Sequence, residues 1–210
     1  MKIVIFDMDG TLIDSKKDMT ISVNHVRKIN HNLGPVSENF IVECVNMEVR
    51  NLPYLFYETQ QYHDDDRELF EKHYEIQCTK NLYLYDGVKE LLDKLILSGI
   101  KLSVATNAPT KFAHKMLNSL GVSNFFDVII GADKVSNSKP SPEMLYSILD
   151  FYGFDKTAHN AWMVGDNIKD IKSAKSANIN AIFATWGFSK KPQHNIYASK
   201  PIDVYSLVFK

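Results

Sequence analysis

The feature of this sequence that most restricts its fold is a regular alternation of short apolar runs and amphipathic segments after residue 80. Four apolar runs have the length of buried strands: 102–106, 126–130, 161–164 and 181–184. The other segments have helical spacing: 88–97, 110–120, a segment that starts at Ser141 with Pro142 as its first helical residue, and 168–177. Strands that alternate with helices favour a parallel sheet with helices on both faces.

The N-terminal part adds one more strand and an interruption. Ile3–Phe6 is a short apolar run that ends on Asp7. Residues 16–80 lack short apolar runs and are rich in Asn, Glu, Tyr and His, which predicts several helices. We therefore expect a Rossmann-like three-layer α/β/α core with a parallel sheet, formed by residues 1–15 and 81–210, and a small inserted α-helical cap domain at 16–80.

Composition excludes several classes of protein. The 24 basic and 25 acidic side chains nearly balance, so no overall charge favours nucleic acid or an anionic membrane as a partner. Two cysteines, Cys44 and Cys78, are too few for a disulfide scaffold and lack metal-site spacing, so we expect buried bystander thiols. No apolar stretch approaches the roughly 18 residues of a membrane span, and the first is too short for a signal peptide. These patterns predict a cytoplasmic protein.

Polar residues follow the predicted strands at the edge where parallel sheets bind ligands. They are Asp7, Asp9, Gly10 and Thr11 after the first strand, Thr106 and Asn107 after the second, Lys139 ahead of the Ser141 helix, and Gly165, Asp166 and Asp170 after the run 161–164. Four carboxylates in one cleft cannot all stay ionised without compensation. One lysine and a divalent cation would supply it, and Mg²⁺ prefers carboxylate, water and phosphate oxygens. The cluster thus predicts a magnesium site and a phosphorylated substrate.

The spacing within the first group fits this interpretation. Residues two apart on an extended segment project to the same side, so Asp7 and Asp9 can face one reacting centre, and Gly10 permits a sharp turn after them. Each element alone has a plainer explanation: an Asp-Gly turn, a helix cap at Thr106-Asn107, or a solvated Lys139. Only their ordered coincidence at successive strand ends favours a catalytic site.

These motifs resemble those of the haloacid dehalogenase superfamily, specifically its phosphatase branch with a helical cap after the first strand. The resemblance covers residues 1 to about 188. It rests on the motifs DMDGTLIDS at 7–15, TNA at 106–108, KPSPE at 139–143, GDNIKD at 165–170 and ATWGF at 184–188. It implies a Mg²⁺-dependent phosphatase, similar to phosphoglycolate phosphatases, that hydrolyses a small phosphomonoester metabolite through an aspartyl-phosphate.

The resemblance also implies individual roles. Asp7 would be the nucleophile, and Asp9 would be the general acid and then the general base. Thr106, Asn107 and Lys139 would bind phosphate. Asp7, Asp9 through its backbone carbonyl, and Asp166 would bind Mg²⁺, with Asp170 supporting the metal site.

Some positions depart from the pattern of the family. Asn167 stands where many relatives carry Thr or Ser, and Asp86 stands where Pro is common. Both carboxylates of GDNIKD remain, so we expect tuning rather than loss of the metal site. The chain beyond Lys200 is short, which predicts a stunted last helix.

The cap provides weaker signals. Arg50 is a conceivable substrate-contacting residue, although an exposed arginine is the simpler interpretation. The run from His63 to Arg67 resembles a metal-binding stretch, but such charge runs usually solvate a helix start, and we expect that here.

Three functional classes stay open at this point. The substrate of a phosphatase could be phosphoglycolate, a sugar phosphate, a nucleotide or pyrophosphate. A β-phosphoglucomutase-like phosphomutase has the same type of cap, although its first motif usually departs from DGTL. A phospho-accepting signalling or binding module combines similar residues, but its phosphorylated Asp lies on a middle strand and no cap follows strand one. The expected partner is a small phosphorylated metabolite, and the chain would act as a monomer or homodimer.

Overall fold

A six-stranded parallel sheet organises the core. Its strands are β1 (Lys2–Phe6), β4 (Lys101–Ala105), β5 (Val128–Ile130), β6 (Asn160–Gly165), β7 (Asn180–Ala184) and β8 (Tyr197–Ala198). They lie in the order β5-β4-β1-β6-β7-β8, and every pairing is parallel. The computed structural model describes residues 1–49 and 51–209. The predicted fold class is confirmed.

Strand β1 lies at the centre of the sheet, where the strand order reverses. Phe6 is in register with Val104 of β4 on one side and Val164 of β6 on the other. The Asp7 amide continues the pairing by donating to the Val164 carbonyl at 2.8 Å. Ligand sites of open parallel sheets lie at the carboxyl ends of strands around such a reversal, so this register places Asp7 at the expected edge.

Helices cover the sheet on both sides of β1. They are α5 (Val88–Leu97), α6 (Thr110–Ser119), α7 (Glu143–Phe151), α8 (Ile168–Ser176) and α9 (Asp203–Val208). Ile3 and Ile5 share one buried cluster with residues of α7 and α8. Because side chains alternate along a strand, Val4 and Phe6 point to the opposite face, where Phe6 contacts Phe126 edge to face.

The chain divides into two units, Met1–Asp14 with Tyr83–Lys210, and Ser15–Leu82. In the first unit a short antiparallel pair, β2 (Ile13–Asp14) and β3 (Tyr83–Leu84), joins the two chain segments. The second unit is helical, with α1 (Lys16–His31), α2 (Glu38–Asn46), α3 (Leu52–Tyr57) and α4 (Asp64–Gln77). Its apolar core centres on Val26, Ile41 and Phe56.

The run at the start of α4 differs partly from its prediction. Asp64 and Asp65 are exposed, as expected for a solvated helix start, but Asp66 is buried. Its Oδ1 accepts hydrogen bonds from Asn30 Nδ2 at 2.9 Å and pairs with His31 Nε2 at 2.7 Å. The expectation of a wholly solvated run is therefore wrong at Asp66. Arg50, which the sequence favours as an exposed arginine over a substrate-contacting residue, lies outside the described residues.

Other details of the fold confirm or correct the sequence predictions. Cys44 and Cys78 are free and buried, as expected. The strand predicted at 126–130 begins only at Val128, because a 3-10 turn occupies Ser123–Phe125. Helix α7 begins at Glu143 rather than Pro142, and the Ser141 hydroxyl accepts from the Glu143 amide at 3.4 Å. Helix α9 has six residues, which confirms the short final helix.

Among the helices within 1–49 and 51–209, none has both the length and the apolarity that crossing a bilayer requires.

Candidate active site

Asp7 and Lys139 form the centre of the site. Asp7 follows β1 and is 9% exposed, while Lys139 is 4% exposed. The Lys139 ammonium donates to Asp7 Oδ1 and to the Ala105 carbonyl, each at 2.7 Å. It also lies 2.7 Å from Asp170 Oδ1. A single buried cation thus joins the ends of β1 and β4 to the first turn of α8.

Electrostatics keep this lysine charged. Burial alone would lower the pKa of Lys139, but the carboxylates of Asp170 and Asp7 more than offset it and raise the pKa to about 12. The side chain therefore carries a positive charge throughout the neutral range. A fixed buried charge of this kind can stabilise the oxygens of a phosphoryl group.

Asp166 and Asp170 come from the β6–α8 connection. Asp170 caps α8 by accepting from the Asn167 amide at 3.1 Å, and Asn167 Oδ1 accepts from the Lys169 amide at 3.0 Å. This capping box fixes Asp170 as it reaches Lys139. Asn167 thus provides the side-chain cap that Ser or Thr would provide, so its departure from the family pattern leaves the local structure intact.

Glycines allow the acidic residues to approach one another. Gly10 has φ +84°, and a Cβ there would lie 2.5 Å from Asp166 Oδ2. A Cβ on Gly165 would overlap the Asp170 carboxylate. Both positions therefore require glycine if the carboxylates are to stay where they are.

The three carboxylates Asp7, Asp166 and Asp170 could share a cation. One oxygen from each lies within 4.8 Å of the others, the only such group of three among residues 1–49 and 51–209. Mg²⁺ prefers oxygen ligands, and these three carboxylates could hold such an ion. Burial, with repulsion from Asp7 and Asp170, raises the pKa of Asp166 well above its usual range. Burial also raises the pKa of Asp170 to about 6, although Lys139 opposes the shift. Three carboxylates beside one ammonium group leave an excess of negative charge, and this excess and the all-oxygen donor set fit a hard divalent cation.

Asp9 lies on the turn after Asp7 and is less buried than the other acids. Among the described residues, the group of carboxylates that could share a cation consists of Asp7, Asp166 and Asp170, and it does not include the Asp9 side chain. The turn is fixed by the Gly10 amide, which donates to the Ile13 carbonyl at 2.9 Å, and by a bridge between Asp9 and Ile13. Asp9 is therefore more exposed to solvent than Asp7, and the two carboxylates lie in different environments.

Thr106 and Asn107 follow β4. Thr106 is buried, and its Oγ1 accepts from the Ala108 amide at 3.1 Å. Asn107 uses both ends of its side-chain amide on the Lys139 backbone: Nδ2 donates to the carbonyl at 2.9 Å and Oδ1 accepts from the amide at 3.0 Å. The predicted phosphate-binding residue Asn107 is therefore engaged in holding Lys139.

The β7–β8 connection contacts the candidate site through residues of the ATWGF motif, to which the sequence analysis assigns no role. Amides of Phe188 and Ser189 donate to Asp166 Oδ2 at 3.1 Å and 3.2 Å. Trp186 Nε1 donates to the Thr11 carbonyl at 2.9 Å, and a Cβ on Gly187 would overlap the Gly10 carbonyl. The ATWGF motif thus orients Asp166 and supports the turn after β1. The Trp186-Gly187 pair directly after a predicted strand is the sequence feature that could have indicated this supporting role.

Tyr85 was missed altogether. Burial and then the charges of Asp14 and Asp166 raise the pKa of its phenol. A tyrosine phenol is protonated at neutral pH in any case, and this shift reflects its position near acidic residues. Tyr85 lies two residues before Gly87, and nothing in the local sequence indicates that it lies near Asp14 and Asp166.

Comparisons with known proteins agree with this geometry. The family model described as haloacid dehalogenase-like hydrolase matches residues 4–184. A phosphoglycolate phosphatase of Colwellia psychrerythraea is 30% identical, with 93% of this chain and 89% of that protein covered. An N-acetylmuramic acid 6-phosphate phosphatase of Pseudomonas aeruginosa is 29% identical, with coverages of 90% and 83%. A crystal structure from Haemophilus somnus, described as a predicted phosphoglycolate phosphatase, superposes with a TM-score of 0.81 at 24% identity, covering 98% and 96% of the two chains.

Proposed function

The chain belongs to the haloacid dehalogenase-like hydrolase family and is a phosphatase similar to phosphoglycolate phosphatases, and we propose that it hydrolyses a small phosphomonoester through a phosphorylated Asp7. The proposal includes a requirement for Mg²⁺. It assigns Asp7, the Asp9 backbone carbonyl and Asp166 as metal ligands, and Asp170 as the residue that supports them.

One observation carries the proposal: the Asp7 carboxylate at the end of β1 lies 2.7 Å from the Lys139 ammonium, within a group of acids that could share a cation. A carboxylate in this position can attack phosphorus while the cation neutralises the phosphoryl oxygens. A bound Mg²⁺ would supply additional charge stabilisation for those oxygens.

In the first step an Asp7 oxygen attacks phosphorus, and the bond between phosphorus and the leaving alkoxide breaks. Asp9 donates a proton to that oxygen, so the alcohol leaves neutral. In the second step Asp9 accepts a proton from water, which attacks the phosphorus and releases the Asp7 carboxylate. A positioned acid–base group is typically worth about 10²–10⁴-fold in rate.

Thr106 and Lys139 would bind the oxygens of the transferring phosphoryl group. The side chain of Asn107 would act by holding the Lys139 backbone, because both of its polar ends are bonded there. This role refines the expectation that Asn107 itself binds phosphate.

The leaving group is less well defined than the phosphoryl site. The two curated relatives are named for phosphoglycolate and for N-acetylmuramic acid 6-phosphate, which are phosphomonoesters of very different size. We propose a small phosphorylated metabolite, with phosphoglycolate and sugar phosphates as the first candidates and nucleotides as the next. A cytoplasmic location and a monomeric or dimeric state stay predictions.

A panel of phosphorylated metabolites tests the proposal. The wild type should hydrolyse p-nitrophenyl phosphate and at least one panel member in Mg²⁺, and EDTA should stop the reaction. Asp7→Asn should lower kcat by more than about 10³-fold with an unchanged fold, since the covalent path is lost. Asp93→Asn is the control, because the Asp93 side chain is about half exposed and forms an ion pair with Lys89 on the surface of α5. Full activity in Asp7→Asn or in EDTA would overturn the mechanism.

The same assay separates the alternatives. Conversion of glucose 1-phosphate that depends on a bisphosphate activator would indicate a phosphomutase. A phosphoenzyme that persists for minutes in Mg²⁺ would indicate a signalling or binding module, because Asp9 should otherwise promote rapid hydrolysis.

A further inference from the structure

Glu143, the last residue of the KPSPE motif, has no role in the chemistry described above, yet it has many polar contacts. Its Oε2 accepts from the amides of Ser136 and Asn137 at 2.9 Å and 3.0 Å. Its Oε1 accepts from Asn137 Nδ2 at 2.7 Å and from the Ser141 hydroxyl at 3.2 Å. The first residue of α7 therefore closes the loop that precedes it.

This loop, residues 136–142, carries Lys139. Its backbone is held at three places by three different elements: Glu143 binds its start, Asn107 binds Lys139, and Ser173 Oγ of α8 donates to the Ser141 carbonyl at 2.9 Å. The Lys139 ammonium has to meet three oxygen atoms at 2.7 Å from the position that these contacts set. Its placement consequently depends on the loop backbone.

We propose that Glu143 is a positioning residue that holds the 136–142 loop so that the Lys139 ammonium meets Asp7 and the transferring phosphoryl group. The inference rests on the proposed function, since it concerns the same phosphoryl site. A displacement of about 1 Å at a reacting centre can cost 10²-fold in rate, so a loosened loop reduces activity without unfolding the protein.

The charge state of Glu143 agrees with this role. Hydrogen bonds from the Asn137 side chain and amide hold the pKa of Glu143 below its usual range. The carboxylate is then ionised at neutral pH, and hydrogen bonds to an ionised acceptor are stronger than those between neutral groups.

A purely helix-stabilising role is the competing explanation, because an acid in the first turn favours any helix. Glu90 provides the matched control: it lies in the first turn of α5 and is exposed. Glu143→Ala and Glu90→Ala each remove a carboxylate from the first turn of a helix. Glu143→Gln keeps an acceptor oxygen for the Ser136 and Asn137 amides and serves as the conservative variant.

Amide hydrogen exchange, resolved by residue with NMR, tests the positioning without reference to activity. Glu143→Ala should accelerate exchange at Ser136, Asn137 and also Lys139, whose amide bonds to Asn107 rather than to Glu143. Glu143→Gln should restore most of the protection, and Glu90→Ala should leave these amides unchanged. Faster exchange at Ser136 and Asn137 alone, with Lys139 still protected, would overturn the inference.

Kinetics supply the second readout. Glu143→Ala should lower kcat about tenfold with a much smaller change in KM, and the substitution should have no further effect in a Lys139→Ala background. A loss of equal size in that background would show that Glu143 does not act through Lys139. If the wild type hydrolyses no phosphomonoester, the proposed function fails, whereas the exchange measurement still decides whether Glu143 positions Lys139.

Discussion

Replacement of Gly10 by alanine tests whether the close approach of the first turn to Asp166 is required for activity. An alanine Cβ would lie 2.5 Å from Asp166 Oδ2, whereas ordinary contacts of this kind are 3.4–4 Å. Asp166 is buried and is held by amides of Phe188 and Ser189, so it has little room to move aside. Relief of the overlap needs a displacement of at least 0.9 Å, the difference between 3.4 Å and 2.5 Å.

The expected loss of folding stability in Gly10→Ala has two sources. A non-glycine residue at φ +84° costs about 1–2 kcal/mol in backbone strain, and the overlap adds about 1–3 kcal/mol. At roughly 2–4 °C per kcal/mol for a chain of this size, Tm should fall by about 4–20 °C. A displacement near 1 Å between proposed metal ligands should lower kcat about 10²-fold.

Gly87→Ala separates the two sources. Gly87 has φ +85°, and a Cβ there would meet Pro201 only at an ordinary 3.8 Å. Gly87→Ala should therefore lose only the stability that backbone strain at positive φ costs, and its activity should stay near that of the wild type. The assay is kcat for p-nitrophenyl phosphate, together with the rise in Tm that Mg²⁺ should produce if it binds the folded state as proposed. Gly10→Ala with a kcat and a Mg²⁺-induced shift equal to those of Gly87→Ala would refute the argument.

Three other perturbations have defined outcomes. Lys139→Met should lower kcat by about 10²–10³-fold, to a measurable residual rate, because it removes one group that stabilises the phosphoryl oxygens. It should also lower the free energy of unfolding by about 3–5 kcal/mol in urea titrations, because it leaves paired buried carboxylates without their cation. A loss of stability below about 1 kcal/mol would contradict this. Asn107→Ala should lower kcat about tenfold with little change in the inhibition constant of inorganic phosphate, whereas a direct phosphate ligand would weaken inhibition. The pKa of Asp170 is raised from 3.8 to about 6 in the folded protein, so the folded state binds this proton more tightly than the unfolded state does. In EDTA, the free energy of unfolding should therefore fall as pH rises from about 4 through about 6. Urea midpoints measured across this range should show that slope in the wild type but a weaker one in Asp170→Asn, and equal slopes would count against the assignment.

Much of the core could be predicted from the sequence because its signals are local. The apolar spacing at 88–97 matches α5, and the short runs at 102–106 and 181–184 match β4 and β7 within one residue. The strand ends then placed Asp7, Lys139, Asp166 and Asp170 together, since parallel strands share one ligand-binding edge. Asp7, Asp166 and Asp170 do converge in the structure.

What the sequence could not supply depends on contacts between distant segments. The pairing of Asn107 with the Lys139 backbone joins residues 32 apart and has no local signature. The burial of Asp66 follows from its contacts with Asn30 and His31 on another helix, while local charge alone favours exposure. The two-residue strands β2, β3 and β8 are too short to show a period.

Asp7 should become phosphorylated during turnover if the proposed function is correct. Borohydride reduces an acyl phosphate to the alcohol, so reduction of the Asp9→Asn variant during turnover should convert residue 7 to homoserine. Peptide mass spectrometry should find the conversion at Asp7 only when substrate and Mg²⁺ are both present. Release of phosphate with no homoserine at residue 7, or with homoserine at another aspartate, would contradict the account.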